Sequence, residues 1–574
     1  MRNAPVYLLY VITGTFGLIY EVVWSRYLGL LMGNTAQAHA VVLATFMGGL
    51  ALGAFAFGRI ADRVPQGLRL YGWIEVGVGL HAVFFPQIFE AFTALLDPLA
   101  RAAGPGTAAM TAFKLLLAAL AVLPPAVLMG GTLPVLTRHL TATAAGLRQG
   151  VGRLYALNSA GAVLGGLLAG FVLLESLGLP ATIAGTGMIN TALGLLAVGL
   201  STRLPPASSA AAPAAEAEDA VEHDAAARTT ALWLAGFSGL ATMTLEVAWI
   251  RWFGLMLGSS TYAFTLMLAA FITGIALGSF WLSRARVGRL PLLPLLATAL
   301  ALTALALAAL QQLYDRMPYF VAHLGRAFAP APDAWPWFQA AVYGLCFLVM
   351  CLPTAVAGLV FPATVRLATE RGRLGGRLGR VYAVNTVGTM AGALLTGLVF
   401  FHWFGLEGVL RGVLVAYALA AILVAVRHVA GRARRRIIGL AALVLIGHFA
   451  VYRSADPRLL NQGLYRRGVD LGDGFDAFRE RVLSHPLLFS AEGPHAVVTV
   501  RESGPSPVMD APLRVMTVNG KPDASTGLDM LPQVYMGHLP LMLHPDPKRV
   551  FLVGLGSGIT AGAIATHDDR PGSR

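Results

Sequence analysis

Charge is what this chain has least of. Charged residues make up 12% of its 574 positions and hydrophobic residues 56%, whereas a soluble domain carries about 25% charge. Most of its surface therefore faces something other than water. Cysteine is nearly missing: Cys346 and Cys351 lie five apart in one apolar run and point to different sides of a helix, which implies neither a disulfide nor a metal pair. No metal site is expected. A cleavage-like site is lacking after the first apolar run, which starts near Val6, so that run reads as a retained helix. The net charge of +13 does not point to nucleic acid, because the cations cluster between apolar runs as in membrane proteins. The expected partner is the lipid bilayer.

Segments of about 17–25 apolar residues cross a bilayer as helices. They fall near 6–31, 40–58, 70–95, 112–135, 154–174 and 180–200, then near 231–257, 262–282, 290–312, 338–361, 381–403 and 407–426. A thirteenth, Ile437 to Tyr452, is short. The expected organisation is a first six-helix half (1–200), a disordered Ala/Pro/acidic linker (201–230) and a second half (231–430). A basic segment with the short helix (431–454) and a soluble C-terminal part (455–574) follow. Twenty-one cations lie in connections after even-numbered helices and five after odd-numbered ones. Positive charge stays inside, so the expectation is a plasma (inner) membrane protein with a cytoplasmic N-terminus.

The halves repeat. YEVVWSRYLGLLMG (20–33) aligns with LEVAWIRWFGLMLG (245–258) at a shift of 225, and RLYALNSAGAVLGG (153–166) with RVYAVNTVGTMAGA (380–393) at a shift of 227. Each half holds an even number of helices, so both enter from the same side. The repeat is parallel, about an axis along the membrane normal, and resembles that of major facilitator transporters.

Four repeated charges stand inside the apolar runs: Glu21 and Arg26, and Glu246 and Arg251. A carboxylate there is a proton or cation site at the interface of the halves, or a structural partner of an arginine. Gly58 to Arg63 (GRIADR) resembles part of the major facilitator loop motif, with Pro65 where a glycine would stand; its Asp/Arg cluster can latch helices together. SAGAVLGGLLAG (159–170) and TVGTMAGALLTG (386–397) read as small-residue packing faces.

After Arg453 the composition becomes soluble. His495 to Glu502 and Leu513 to Val518 alternate as strands, with Asn519-Gly520 as a turn. Arg549 to Val553 reads as a buried strand, Gly554-Leu555-Gly556-Ser557-Gly558 as a tight turn, and Ile559 to Thr566 as the start of a helix. Glu492 to Thr499 (EGPHAVVT), Val518 to Lys521, Asp529, Gln533 and HLPLMLHPDPKRVFLVGLGSG (538–558) together resemble the front of a spermidine synthase, a polyamine aminopropyltransferase. The whole layout resembles bacterial proteins that fuse a major-facilitator-like membrane part to such a domain.

The resemblance implies a partial Rossmann-like C-terminal domain. It implies Gly554, Gly556 and Gly558 against the donor, decarboxylated S-adenosylmethionine, as co-substrate, with no tightly bound cofactor. It implies Asp529 and Gln533 on the side of a polyamine or other small substrate. Ser557 replaces an acidic residue of the family's glycine loop, and Gln533 and Tyr535 stand where the family has Tyr and Glu. The family's ribose-binding acid and catalytic aspartate have no counterpart before Arg574, so the domain reads as truncated, its catalytic residues unknown. The expectation is thus a membrane-embedded aminopropyltransferase-like protein, inactive as it stands. The alternative is a major-facilitator-like transporter with a regulatory C-terminal domain.

Overall fold

The structure is a computed structural model that describes residues 4–32, 36–103, 107–140, 144–204, 225–258, 261–284, 290–328, 331–369, 374–463, 471–493 and 496–567. Most of the expected linker, 205–224, lies outside the described residues. The first half holds α1 (Ala4–Met32), α2 (Ala36–Ala61), α3 (Gly67–Ala103), α4 (Ala108–Leu140), α5 (Ala144–Leu168) and α6 (Leu174–Leu200). The second holds α7 (Ala225–Leu257), α8 (Thr261–Ser283), α9 (Leu292–Gln311), a short α10 (Met317–Ala327), α11 (Trp335–Ala357), α12 (Val360–Thr369), α13 (Leu374–Leu395) and α14 (Phe401–His428). α7 starts inside the stretch expected as linker. Next comes α15 (Gly431–Val451), whose 21 residues reach about 31 Å, since its first turn absorbs the arginines counted as a loop.

Ten helical stretches among the described residues are long and apolar enough to cross a membrane. Two of them, Arg153–Leu200 and Gly379–His428, run 48 and 50 residues. Such a length would reach over 70 Å, more than two hydrocarbon cores of about 30 Å. Each instead turns midway, at Gly178 (φ 72°, ψ 177°) and Gly405 (φ 63°, ψ 178°). Only glycine takes that backbone without strain. The turns stand 227 residues apart, and so do the π-helical turns just before them, Ala169–Leu173 and Thr396–Phe400. The duplication thus reaches the backbone. With each long stretch counted as two crossings, the chain makes a polytopic helical bundle of two six-helix halves.

The halves meet reciprocally. α2 packs along α13 and α5 along α8, and α8 and α13 are the repeat equivalents of α2 and α5. Such exchanged pairing follows from a two-fold relation. Within each half the small-residue faces bring helices to backbone contact. A methyl group on Gly161 or Gly165 of α5 would collide with the carbonyls of Val11 and Thr15 on α1, and one on Gly388 or Gly392 of α13 with those of Gly236 and Leu240 on α7. Lipid offers no hydrophobic drive between helices, so this close packing supplies much of their attraction.

The chain divides into two compact units: residues 1–251, 261–312 and 339–452, and residues 252–260, 313–338 and 453–574. The second unit holds α10, α16 (Pro457–Leu460), α17 (Phe475–Ser484), β1 (Leu487–Glu492), β2 (Val497–Pro505), β3 (Pro512–Val518), β4 (Lys521–Ser525), α18 (Met530–Leu543) and α19 (Ile559–Ala565). Tyr319 and Ala322 of α10 bury themselves with Leu459, Leu471, Phe478 and Val482. The strands form an antiparallel meander in the order β1-β2-β3-β4. β3 and β4 are joined at Asn519 (φ 50°) and Gly520 (φ 76°), the two left-handed residues a tight hairpin turn requires.

One expected strand fails. Residues 549–553 pair with nothing, and Phe551 and Val553 are 90% and 84% exposed. A parallel strand is stable only when neighbours and helices cover it, and the described residues supply none. The Rossmann-like assignment is corrected to a small antiparallel sheet with two flanking helices.

Candidate functional site

A cavity of about 170 Å³ lies in the membrane unit, lined by residues of α1, α2, α3, α4, α5 and α13. Its polar face is written mainly on α1. Tyr10, Thr13, Gly14, Gly17, Tyr20 and Glu21 all line it, and their spacing of three and four residues puts them along one side of the helix. α5 adds Tyr155, Asn158 and Ala162, again three and four apart; α3 adds Glu75, α4 adds Thr132, and α13 adds Tyr382. Gly14 permits the approach of α5, since a methyl group there would meet the backbone and side-chain oxygens of Asn158 at 2.7 and 2.9 Å.

Two carboxylates line this cavity, within apolar helices where an ionised side chain costs about 2.5–3.5 kcal/mol or more. Glu75 is 4% exposed. The Asn190 amide on α6 donates to its carboxylate at 3.1 Å and to its backbone carbonyl at 3.2 Å. Near it on the same side, Thr13 and Tyr71 share a hydroxyl–hydroxyl bond of 2.7 Å. Glu21 opens to the cavity itself. Tyr20 is 1% exposed, with its hydroxyl beside the Asn190 side chain.

The repeated charges expected from sequence are separated by this arrangement. Glu246 stands close enough to Glu21, and to the Tyr155 phenol, for their charges to interact. Tyr155 and its equivalent Tyr382 both pack against Phe361, at 5.5 and 5.8 Å between ring centroids. Arg26, five residues beyond Glu21, is exposed, because that spacing turns it to another side of α1. Arg251 lies over the ring of Phe401 at 4.5 Å. At the end of α2, Asp62 pairs with Arg138 of α4 at 3.8 Å, so the acidic residue of the loop motif joins two helices. Cys346 and Cys351 are free thiols.

In the second unit Asp529 accepts from the Ser525 amide at 2.7 Å. Gln533 accepts from the Ser557 hydroxyl at 3.0 Å, which brings α18 against the glycine loop. Gly554, Gly556 and Gly558 all take positive φ, at 83°, 55° and 80°. The loop has the expected turn, but it stands open: none of the three has another atom near the position a Cβ would take.

Glu75 and Asn190 carry no repeat signal, although a lone acid in an apolar helix marks a candidate site by itself. At the 225-residue shift, Glu75 faces Leu300, so a search by repeat steps over it.

No family profile matches the chain, and no curated protein matches it. Among solved structures, it is similar to the fucose:proton symporter of E. coli, at 13% identity over 74% of this chain and 99% of that one, with a TM-score of 0.48. It is similar to the nucleoside transporter NupG at 10% identity over 79% and 100%, TM-score 0.42. A human organic anion transporter stands at 13% identity over 73% and 98%, TM-score 0.44. These neighbours are transporters rather than transferases. The open glycine loop and the missing parallel strand correct the aminopropyltransferase reading of the chain.

Proposed function

We propose that the chain is a multi-pass transporter that moves a small polar molecule through the cavity between its halves. The observation that carries this reading is the cavity itself, which holds two carboxyl groups and is lined by the equivalent tyrosines of both halves, Tyr155 and Tyr382. A scaffold has no use for carboxylates in lipid that cost several kcal/mol. Transport has such a use, because a site at the middle of a two-fold bundle opens to either side when one half rocks against the other. We place the protein in the inner membrane with the arginine-rich connections in the cytoplasm, on the charge asymmetry of the sequence.

The test is accessibility from both faces. With Cys346 and Cys351 replaced by serine, Ala162→Cys places a thiol in the cavity wall. A small maleimide added to either side of sealed vesicles is expected to label it. Labelling from neither side would show a closed structural void and remove the reading.

A further inference from the structure

The geometry points to a small organic amine, in its ammonium form, as the ligand of this cavity; the inference rests on the transporter reading and deepens it. Among the described residues that line the cavity there are two carboxylates, Glu21 and Glu75, and not one lysine, arginine or histidine. Carboxyl groups facing one cavity among apolar helices keep their charge only where positive charge meets them, and an ammonium group would supply it. Asn190, Tyr71 and Thr13 give Glu75 hydrogen bonds, all from neutral donors that do not balance a charge.

The remaining wall suits an ammonium group in kind. Such a group has three donors and accepts nothing. Around it stand carboxylate, phenol, hydroxyl and amide oxygens: Glu21, Glu75, Tyr10, Thr13, Asn158 and Tyr155. Aromatic faces of tyrosine and Phe46 add the attraction of ring quadrupoles for cations. The volume of about 170 Å³ sets the size, since a cavity of about 150 Å³ holds benzene. A primary amine with a short apolar tail fits, the tail lying against Phe46, Met47, Leu50 and Met129.

Protection of the Ala162→Cys thiol tests this, with butylamine, butanol and butyrate as matched probes. Butylamine is expected to slow maleimide labelling about ten-fold at concentrations where butanol and butyrate have little effect. Glu21→Gln and Glu75→Gln are each expected to abolish that protection while the thiol stays reactive. Met47→Cys, a second wall position, should repeat the pattern. Equal protection by butanol or butyrate would overturn the amine, as would protection by sodium chloride alone or unchanged protection in both glutamine variants. Reactivity from both faces without any amine protection would remove the amine and leave transport standing; a thiol unreactive from either face would remove transport, and the amine with it.

Discussion

The two halves of the membrane unit share their mechanics and differ in their chemistry. Both have a glutamate near the middle of the first helix, Glu21 and Glu246, and a tyrosine and asparagine on the fifth, Tyr155 with Asn158 and Tyr382 with Asn385. Both have a π-helical turn followed by a glycine reversal. Yet all but one of the residues that line the cavity come from the first half. Where the first half has Glu75, Tyr71 and Asn190, the repeat shifts lead to Leu300, Leu296 and Tyr417. Duplicated residues hold helices together and let the halves pair. In the cavity wall Glu21, Tyr155 and Asn158 are duplicated and Glu75 and Tyr10 are not, so the polar wall is completed by what the repeat does not share.

The largest expected effect strikes what is shared. Gly165→Leu and its equivalent Gly392→Leu should each prevent stable folding, because the added side chain meets backbone rather than a movable side chain. The cost exceeds the about 1–3 kcal/mol of ordinary overpacking. Loss of the monodisperse peak in detergent size-exclusion checks it, and a mild effect in one half alone would break the equivalence.

The next is all-or-none in its readout. The connection between α9 and α11 carries α10 and folds with residues 453–574 as one unit, while the equivalent connection between α3 and α4 is short. That connection follows an odd-numbered helix, so we expect Val508→Cys and Arg326→Cys to react with an impermeant thiol reagent in intact cells. Gln66→Cys, beside the arginine-rich loop after α2, should be protected. That outcome would make α15 a thirteenth crossing. Protection of Val508→Cys would place its unit with the cytoplasmic loops.

Smaller effects sharpen the contrast within the membrane. Glu75→Leu should cost about 1–3 kcal/mol, the price of leaving the Asn190 amide buried without its acceptor. Leu300→Ala at the equivalent position, which is fully buried, should cost about 2–5 kcal/mol in stability but leave ligand protection intact. Thermal unfolding in detergent and the labelling assay separate the two. The smallest change is Asp62→Asn, whose half-exposed ion pair with Arg138 is worth about 0–1 kcal/mol. The second half has Val287 at that place and manages without the pair.

Much of the fold was legible because lipid leaves few options. Apolar length finds the crossings, and the two aligned motifs reveal the duplication. Hydropathy could not show the ends of α15, because charge in its first turn masks a helix that continues. The strand expected at Arg549 to Val553 failed for a different reason. Apolar β-branched sequence has strand propensity, but a strand exists only through its partners, and those are a property of the rest of the chain. The site was half legible. Glu21 and Glu246 stood out by repetition, whereas pairing each with the arginine of its own motif ignored that residues five apart do not share a helix face. Asn190 was invisible, since a single amide in an apolar helix acquires meaning only from the carboxylate packed against it.

The most direct test of the account compares equivalent positions across the halves. Ala162 lines the cavity, and its repeat equivalent Thr389 instead bonds its hydroxyl to the Asn385 carbonyl at 3.1 Å within α13. In protein lacking Cys346 and Cys351, maleimide should label Ala162→Cys from both faces of the membrane and leave Thr389→Cys unreactive. Equal labelling of the two would contradict the claim that one half carries recognition, and labelling of neither would contradict transport.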